Sequence, residues 1–146
     1  MQLSKRTQYG LRALICLADA YQRGYLQTKE LSAREHLPTK FLESILSALT
    51  RGKFLISKIG ATGGYRLARA PKDILISEII ARLEGKKLLE DEAPAPEPGE
   101  RPGELAVRIV QTQLSSAIRN ALMSMTLGQL TEQVAQTSPA NQMYYI

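Results

Sequence analysis

The sequence predicts a mostly α-helical fold with one small β-hairpin and a long helix near its C-terminal end. Two short helical segments meet at residues 36–38 with almost no linker, which is typical of a helix-turn-helix. The stretch from Ser57 to Pro71 then reads SKIGATGGYRLARAP, with three glycines in five residues. From residue 105 onward, apolar residues recur at helical spacing over about five turns. Together these features predict a winged helix-turn-helix domain followed by a long helix.

Charge is distributed unevenly along the 146 residues. Residues 1–84 hold 14 Lys and Arg against 7 Asp and Glu, whereas residues 85–146 hold 5 against 7. The basic first part suggests an anionic partner, most commonly nucleic acid, although a scattered surface excess would give the same count. No apolar run reaches the ~18 residues of a membrane span, and a single cysteine cannot form an internal disulfide. We therefore expect a cytoplasmic protein that does not bind a membrane.

Two amphipathic helices are predicted in the first 37 residues. The first ends near Gly24, and its apolar face is predicted to hold Tyr9, Ala13, Cys16, Leu17 and Ala20. The second begins at Thr28, a residue type that caps helix N-termini well. Leu31 and Leu37 are predicted to lie on its buried side.

A third helix follows directly, beginning at Pro38 and Thr39 and ending at Gly52. Its predicted core stripe consists of Phe41, Leu42, Ile45, Leu46 and Leu49. The outward face must then carry the polar residues Thr39, Lys40, Glu43, Ser44 and Ser47.

The glycine-rich stretch is predicted to be a β-hairpin. KFLISKI is rich in β-favouring residues, GATGG permits positive φ, and YRLAR alternates between two faces. A phosphate-binding loop would instead open a helix, but Pro71 follows too soon for that. We interpret the glycines as a wing tip, where small residues let the backbone approach DNA.

The second half is predicted to provide dimerisation. Residues 86–104 have the Pro- and Glu-rich composition of a flexible loop, and residues 105–136 are predicted to form a dimerisation helix with a short helix after it. The apolar stripe of the long helix consists of Val107, Val110, Leu114, Ile118, Leu122 and Met125. Two copies could bury both stripes, or the helix could fold back on its own domain, residues 1–85. The tail, residues 137–146, could dock on a partner subunit or lie loose.

Four segments resemble the Rrf-two family of bacterial winged-helix transcription regulators: LSKRTQYGLRAL, LPTKFLESILSALTRGKFL, GATGGYRLARAP and ISEIIARLEG. The resemblance covers residues 1–85 closely and the remainder in outline. It implies a homodimer that binds a palindromic operator in double-stranded DNA, with the helix Thr39–Arg51 in the major groove. Relatives often carry an arginine just before the wing glycines, where this chain has Ile59, so Lys58 is only a partial substitute.

Candidate DNA-binding residues follow from this arrangement. Residues near the start of a recognition helix reach base edges, which favours Thr39, Lys40, Glu43 and Ser44, with Ser47 on the same face. Glu43 could accept from a cytosine amino group, or simply pair with Lys40 on a solvated surface. Contacts with phosphate or the minor groove are assigned to Lys5, Arg6, Thr28, Lys58, Thr62, Gly63 and Gly64.

No cofactor is predicted. Iron–sulfur members of the family carry three closely spaced cysteines in the loop, and this chain has none there. Its only cysteine, Cys16, cannot hold a cluster that takes four ligands, and is either a core residue or a redox-reactive thiol. His36, the only histidine, is expected to be structural or exposed.

Three function classes follow from these observations. The first is a DNA-binding regulator tuned by an unknown small-molecule effector or regulatory protein. The second is a winged-helix module that binds a protein and little DNA, which Ile59 would favour. The third, an enzyme, is disfavoured because no nucleophile is paired with a base in the sequence.

Overall fold

The structure, a computed structural model, describes residues 2–85 and 95–138. Residues 86–94 of the loop predicted at 86–104, and residues 139–146 of the predicted tail, lie outside the described residues. The elements are α1 (Lys5–Asp19), α2 (Thr28–Glu35), α3 (Thr39–Arg51), β1 (Leu55–Lys58), β2 (Gly64–Leu67), a short 3-10 turn (Pro71–Asp73), α4 (Ile76–Glu84), α5 (Pro102–Met123) and α6 (Leu127–Thr137). This architecture confirms the predicted mostly helical winged fold.

Helix α1 lies at the centre of the domain. The Ser4 hydroxyl caps it by accepting from the Thr7 amide at 3.2 Å, and Glu84 at the end of α4 accepts from the Ser4 amide at 2.6 Å. Its buried residues are Thr7, Gly10, Ala13, Leu14 and Leu17. Gly10 allows close packing there, because a Cβ would lie 2.4 Å from Leu83 Cδ1 and the Leu83 side chain would have to shift.

The prediction for α1 was partly wrong. Ala13 and Leu17 are buried, but Tyr9, Cys16 and Ala20 are only half-buried at the edges of the buried face. The buried face includes two small residues, Thr7 and Gly10, whose burial the spacing of large apolar residues does not indicate. The helix also ends at Asp19, before Gly24.

The helix-turn-helix forms as predicted, with one correction at its start. Gln27 is the N-cap of α2, not Thr28, because Gln27 is the last extended residue and its amide donates to Glu30 Oε1 at 3.3 Å. His36 ends α2 in the left-handed region, at φ 53° and ψ 50°. Leu31 and Leu37 are buried as expected.

Helix α3 buries Leu42, Ile45, Leu46 and Leu49 as predicted. Phe41 does not join them and remains 38% exposed. Its ring instead lies edge-on to that of Tyr9, with centroids 5.5 Å apart, because it falls at the margin between α3 and α1. The predicted end at Gly52 is confirmed.

Strands β1 and β2 pair in antiparallel register from Leu55 opposite Leu67 to Lys58 opposite Gly64. Leu55 and Leu67 are buried, which fixes the inner face of the hairpin. Leu26, just before α2, adds an isolated bridge to Tyr65, with N–O distances of 2.9 and 2.8 Å. The wing is therefore attached to the start of α2.

The C-terminal helices are attached through a second bridge, between Leu75 and Thr126. Leu127 follows it and is fully buried in the domain core. Helix α5, by contrast, has no buried residue along its 22 residues, a length of about 33 Å. It begins at Pro102, inside the loop predicted to reach residue 104. Over the part of the chain that the structure describes, no helix is both long and apolar enough to cross a bilayer.

Candidate nucleic-acid interface

The outward face of α3 is polar, with the exposed Phe41 at its margin. Thr39, Lys40, Glu43, Ser44 and Ser47 are all exposed. The opposite side of α3 is held in the core, so these five side chains cannot turn inward without unfolding the domain. Their contact with bases stays a prediction.

Two contacts link this face to its surroundings. Arg6 Nη1 on α1 donates to Ser44 Oγ at 3.3 Å, which brings a predicted phosphate contact beside a predicted base contact. Thr39 Oγ1 lies 3.2 Å from Ser32 Oγ on α2. Within residues 2–85 and 95–138, no ion pair joins Lys40 to Glu43. The side chain of Glu43 is therefore available to accept a hydrogen bond.

The other helical candidates lie at helix N-termini. Lys5 is exposed in the first turn of α1, next to the half-buried Arg6. Thr28 is half-buried in the first turn of α2. The amides of a helix N-terminus attract anions, so both positions suit a backbone phosphate.

The wing tip is exposed and carries one large apolar side chain. Lys58 and Thr62 are exposed, and Ile59 between them is 98% exposed. The tip is connected to α2 by Gln27 Nε2, which donates to the Ala61 carbonyl at 3.1 Å. Thr28 and the wing are thus neighbours although the sequence separates them by about thirty residues.

The last two wing glycines have a structural role within the chain. Gly63 is buried, and a Cβ there would lie 2.0 Å from the Lys58 carbonyl oxygen. Gly64 has φ +134°, and its Cβ would lie 2.4 Å from the Leu26 carbonyl oxygen. Closure of the hairpin and its pairing with Leu26 therefore account for these glycines without DNA. Contact of either with DNA stays a prediction.

The sequence interpretation missed Tyr25 and Arg66 on the flank of the wing. Arg66 Cζ lies 5.0 Å, and Lys58 Nζ 5.6 Å, from the centroid of the Tyr25 ring. Alternation along the hairpin could have identified Arg66, since it shares a face with Lys58. Nothing in the sequence indicated that Tyr25 would lie under both.

Cys16 is half-buried beside α6. It borders a cleft of about 510 Å³ together with Ile15, Asp19 and Val134. Burial raises the pKa of the Cys16 thiol, and the nearby Glu35 carboxylate raises it further. The thiol is therefore mostly protonated at neutral pH, which disfavours reaction with oxidants. A redox role stays a prediction.

The apolar stripe of α5 divides into two parts. Val107, Val110 and Leu114 are 57, 57 and 59% exposed. Ile118 is half-buried, and Leu122 packs partly against the core of its own chain. Met125 also packs against that core, but it lies beyond the end of α5 at Met123 and not on the helix as predicted. The first part of the stripe lacks a cover within the described residues, whereas the end of α5 anchors the helix to the domain.

The fold and the polar α3 face can be compared with known proteins. A family model described as an iron-dependent transcriptional regulator, Rrf2, matches residues 3–133. The chain belongs to the Rrf2 family of transcriptional regulators. Membership in this family confirms the class of DNA-binding transcriptional regulator that was predicted from the sequence. The family consists of transcriptional regulators and not of enzymes.

Individual Rrf2 relatives agree with this assignment. The CymR regulator of Bacillus subtilis is 34% identical over 134 residues, 89% of each chain. Its structure, described as that of the global cysteine regulator, superposes with a TM-score of 0.76 over 91% of this chain and 98% of its own. IscR of T. potens superposes with a TM-score of 0.79 at 25% identity, over 100% of this chain and 97% of its own. An rrf2-like regulator of Rhodobacter capsulatus is 37% identical over 86 residues, 57% of each chain.

The iron in the family description can be tested against the donor groups present. An iron–sulfur cluster takes four ligands, most often cysteine thiolates. The chain has one cysteine, whose pKa is raised. Among the residues described, no group of three or more His, Cys, Asp and Glu side chains is arranged to hold a metal ion. Such a cluster therefore does not fit the single cysteine and the donor groups of residues 2–85 and 95–138.

Proposed function

We propose that this Rrf2 protein is a homodimeric, sequence-specific regulator in the cytoplasm that binds a palindromic DNA site without an iron–sulfur cluster. The observation that carries the proposal is the exposed face of α3 with its five polar residues, beside a basic wing. Helix residues near the N-terminus read base edges in the major groove, so Lys40 and Glu43 are the main specificity residues.

Dimerisation is proposed through α5. Helix α5 has no buried residue, and three branched side chains are exposed in one stripe along it. Most of the stability of a helix in a protein comes from packing of its apolar face, so an uncovered α5 is unstable. A second copy of α5 covers the stripe in a symmetric interface. The dimer then presents two α3 helices about 34 to 36 Å apart, one turn of DNA.

Regulation is proposed to depend on a small molecule or a regulatory protein. The single, half-buried cysteine supports a signal other than an iron–sulfur cluster. The cleft beside Cys16, between α1 and α6, is a candidate place for an effector because it borders the central helix of the domain.

Salt-dependent DNA binding tests the function. Binding to duplex DNA should weaken steeply as salt rises, with a slope of about 0.9 per phosphate contact. Lys5→Ala should weaken binding equally on all sequences. Lys40→Ala and Glu43→Ala should change which sequences are preferred. Binding without preference in the wild type would contradict the proposal.

A second candidate function is a winged-helix module that binds a protein. The observation that favours it is Ile59, an isoleucine 98% exposed at the wing tip. Such a module would show weak duplex binding in the same salt series, and Ile59→Ser would abolish capture of its protein partner. A steep salt dependence with sequence preference would exclude it.

A further inference from the structure

We infer that Arg66, Lys58 and Tyr25 form a phosphate-binding site on the flank of the wing, and that its occupant is a backbone phosphate of duplex DNA. This inference rests on the proposed function and deepens it. It adds Arg66 as a binding residue and Tyr25 as a positioning residue, neither of which was expected from the sequence.

The hairpin register brings the two cations together. Lys58 lies opposite Gly64, and Arg66 lies opposite Ile56. Lys58 and Arg66 are therefore diagonal neighbours on one face of the ribbon, within reach of one another for long side chains. Gly64 contributes no side chain to this face, so nothing on β2 separates the two cations.

Tyr25 holds both cations from the other side. The guanidinium of Arg66 lies 5.0 Å, and the ammonium of Lys58 5.6 Å, from the centre of its half-buried ring. Attraction of each cation to the ring offsets part of their mutual repulsion and restricts their motion. A phosphate then meets two cations that are already ordered, which lowers the entropic cost of binding.

The two cations are not neutralised. Arg12, Arg69, Arg101 and Arg108 each pair with a carboxylate. Neither Lys58 nor Arg66 forms an ion pair or a side-chain hydrogen bond with any residue in the described ranges, and both are exposed. The flank therefore carries two positive charges, on Lys58 and Arg66, which an anion can neutralise.

The position of the flank favours DNA as the source of that phosphate. Tyr25 precedes the Leu26 bridge and the Gln27 contact with Ala61, so the cluster borders the N-terminal turn of α2. Amides at that turn also attract phosphate. A DNA backbone in contact with Thr28 would therefore run beside Lys58 and Arg66.

The test measures binding of the full-length protein to a labelled duplex of random sequence over a salt series. Arg66→Gln should make the dependence of log Kd on log salt concentration shallower by about 0.9. The ratio of the variant's Kd to the wild-type Kd should therefore fall about three- to four-fold between about 50 and 200 mM salt. Lys58→Gln should behave alike, and the double variant should lose twice that slope. Lys72→Gln, an exposed cation on the 3-10 turn, is the matched control and should match the wild type.

A second set of variants isolates the role of Tyr25. Tyr25→Phe keeps the ring and should bind like the wild type. Tyr25→Leu should weaken binding in the wild-type background and have little effect in the background of the Lys58→Gln/Arg66→Gln double variant, because the ring acts through both cations. The unfolding temperature of each variant shows whether weaker DNA binding results from a less stable fold or from loss of the phosphate contact.

The outcomes are distinguishable. If Arg66→Gln has the same salt slope as Lys72→Gln while the wild type still binds, the flank is not a phosphate site. If Tyr25→Leu weakens binding equally in both backgrounds, the ring does not position the cations. If the wild type binds no duplex at all, the proposed function itself fails.

Discussion

Arg6 on α1 donates a hydrogen bond to Ser44 on α3, with Nη1 and Oγ 3.3 Å apart. The two side chains come from segments nearly forty residues apart, and were assigned different roles in DNA binding from the sequence. Their contact places one cation at the edge of the α3 face that is proposed to read bases, where it can meet the adjacent phosphate.

Separate substitutions should distinguish the two roles. Arg6→Ala should weaken binding to all duplexes and lower the salt slope by about 0.9, because it removes a phosphate contact. Ser44→Ala should leave the slope unchanged and alter the preference at one base position. Quantitative binding to a panel of duplexes in a salt series measures both effects. Equal changes in preference for the two variants would contradict this division.

Gly63 is predicted to be essential for the wing. Gly63→Ala places a Cβ against the Lys58 carbonyl, a backbone atom that cannot move aside. We expect the free energy of unfolding to fall by about 1–3 kcal/mol, measured by urea denaturation. Gly103→Ala is the control, since its Cβ enters open space at the start of α5. The control should leave stability unchanged or raise it by up to about 1 kcal/mol.

Acid should weaken the contact between Glu84 and α1. The hydrogen bond from the Ser4 amide lowers the pKa of the Glu84 carboxyl below its unfolded value of about 4.3. A depressed pKa gives stability that is present above the unfolded pKa and is lost as pH falls through the folded pKa. The difference in unfolding free energy between wild type and Glu84→Gln should therefore be largest near neutral pH and disappear in acid.

Urea denaturation across this pH range measures that difference. Glu132→Gln, exposed on α6, is the matched control for the loss of one surface carboxylate. A Glu84→Gln difference that stays constant into acid would mean that the ionised carboxylate contributes nothing at the start of α1.

Charge placed in the α5 stripe should separate the proposed dimer. Val110→Lys and Leu114→Lys put an ammonium group into the apolar contact between two helices, where it is desolvated without a partner. Sedimentation equilibrium should show monomers for both variants, and affinity for a palindromic duplex should fall. Asn120→Lys, exposed on another face of α5, should remain a dimer. A wild type that sediments as a monomer would contradict the dimer.

The sequence predicted helices well where the spacing of apolar residues also determined which of them are buried. Ile45 and Leu49 could be assigned to the core because they lie at the centre of the apolar stripe of α3, which must face the interior. Phe41 could not, because a residue at the margin of a stripe is buried or exposed according to its neighbour, here Tyr9. The apolar spacing of α5 likewise did not reveal that Leu122 packs within the chain while Val110 does not.

The interface was predictable on α3 and less so on the wing. The polar side chains of α3 follow from the position of its buried ones. The cluster at Tyr25 depends on contacts between β2 and a residue some forty positions earlier, which no local pattern records. The same long-range contact with Leu26 explains Gly64 better than an approach of DNA does.

Selection of bound sequences from a random duplex library tests the central claim most directly, that a pair of α3 helices reads DNA through Lys40 and Glu43. Wild type should enrich a palindrome whose half-sites are centred about one helical turn apart. Lys40→Ala and Glu43→Ala should each alter the enriched bases symmetrically in both half-sites, while Lys5→Ala should enrich the wild-type sequence with lower yield. Enrichment of one and the same sequence by all four proteins, or of no sequence by the wild type, would contradict the account.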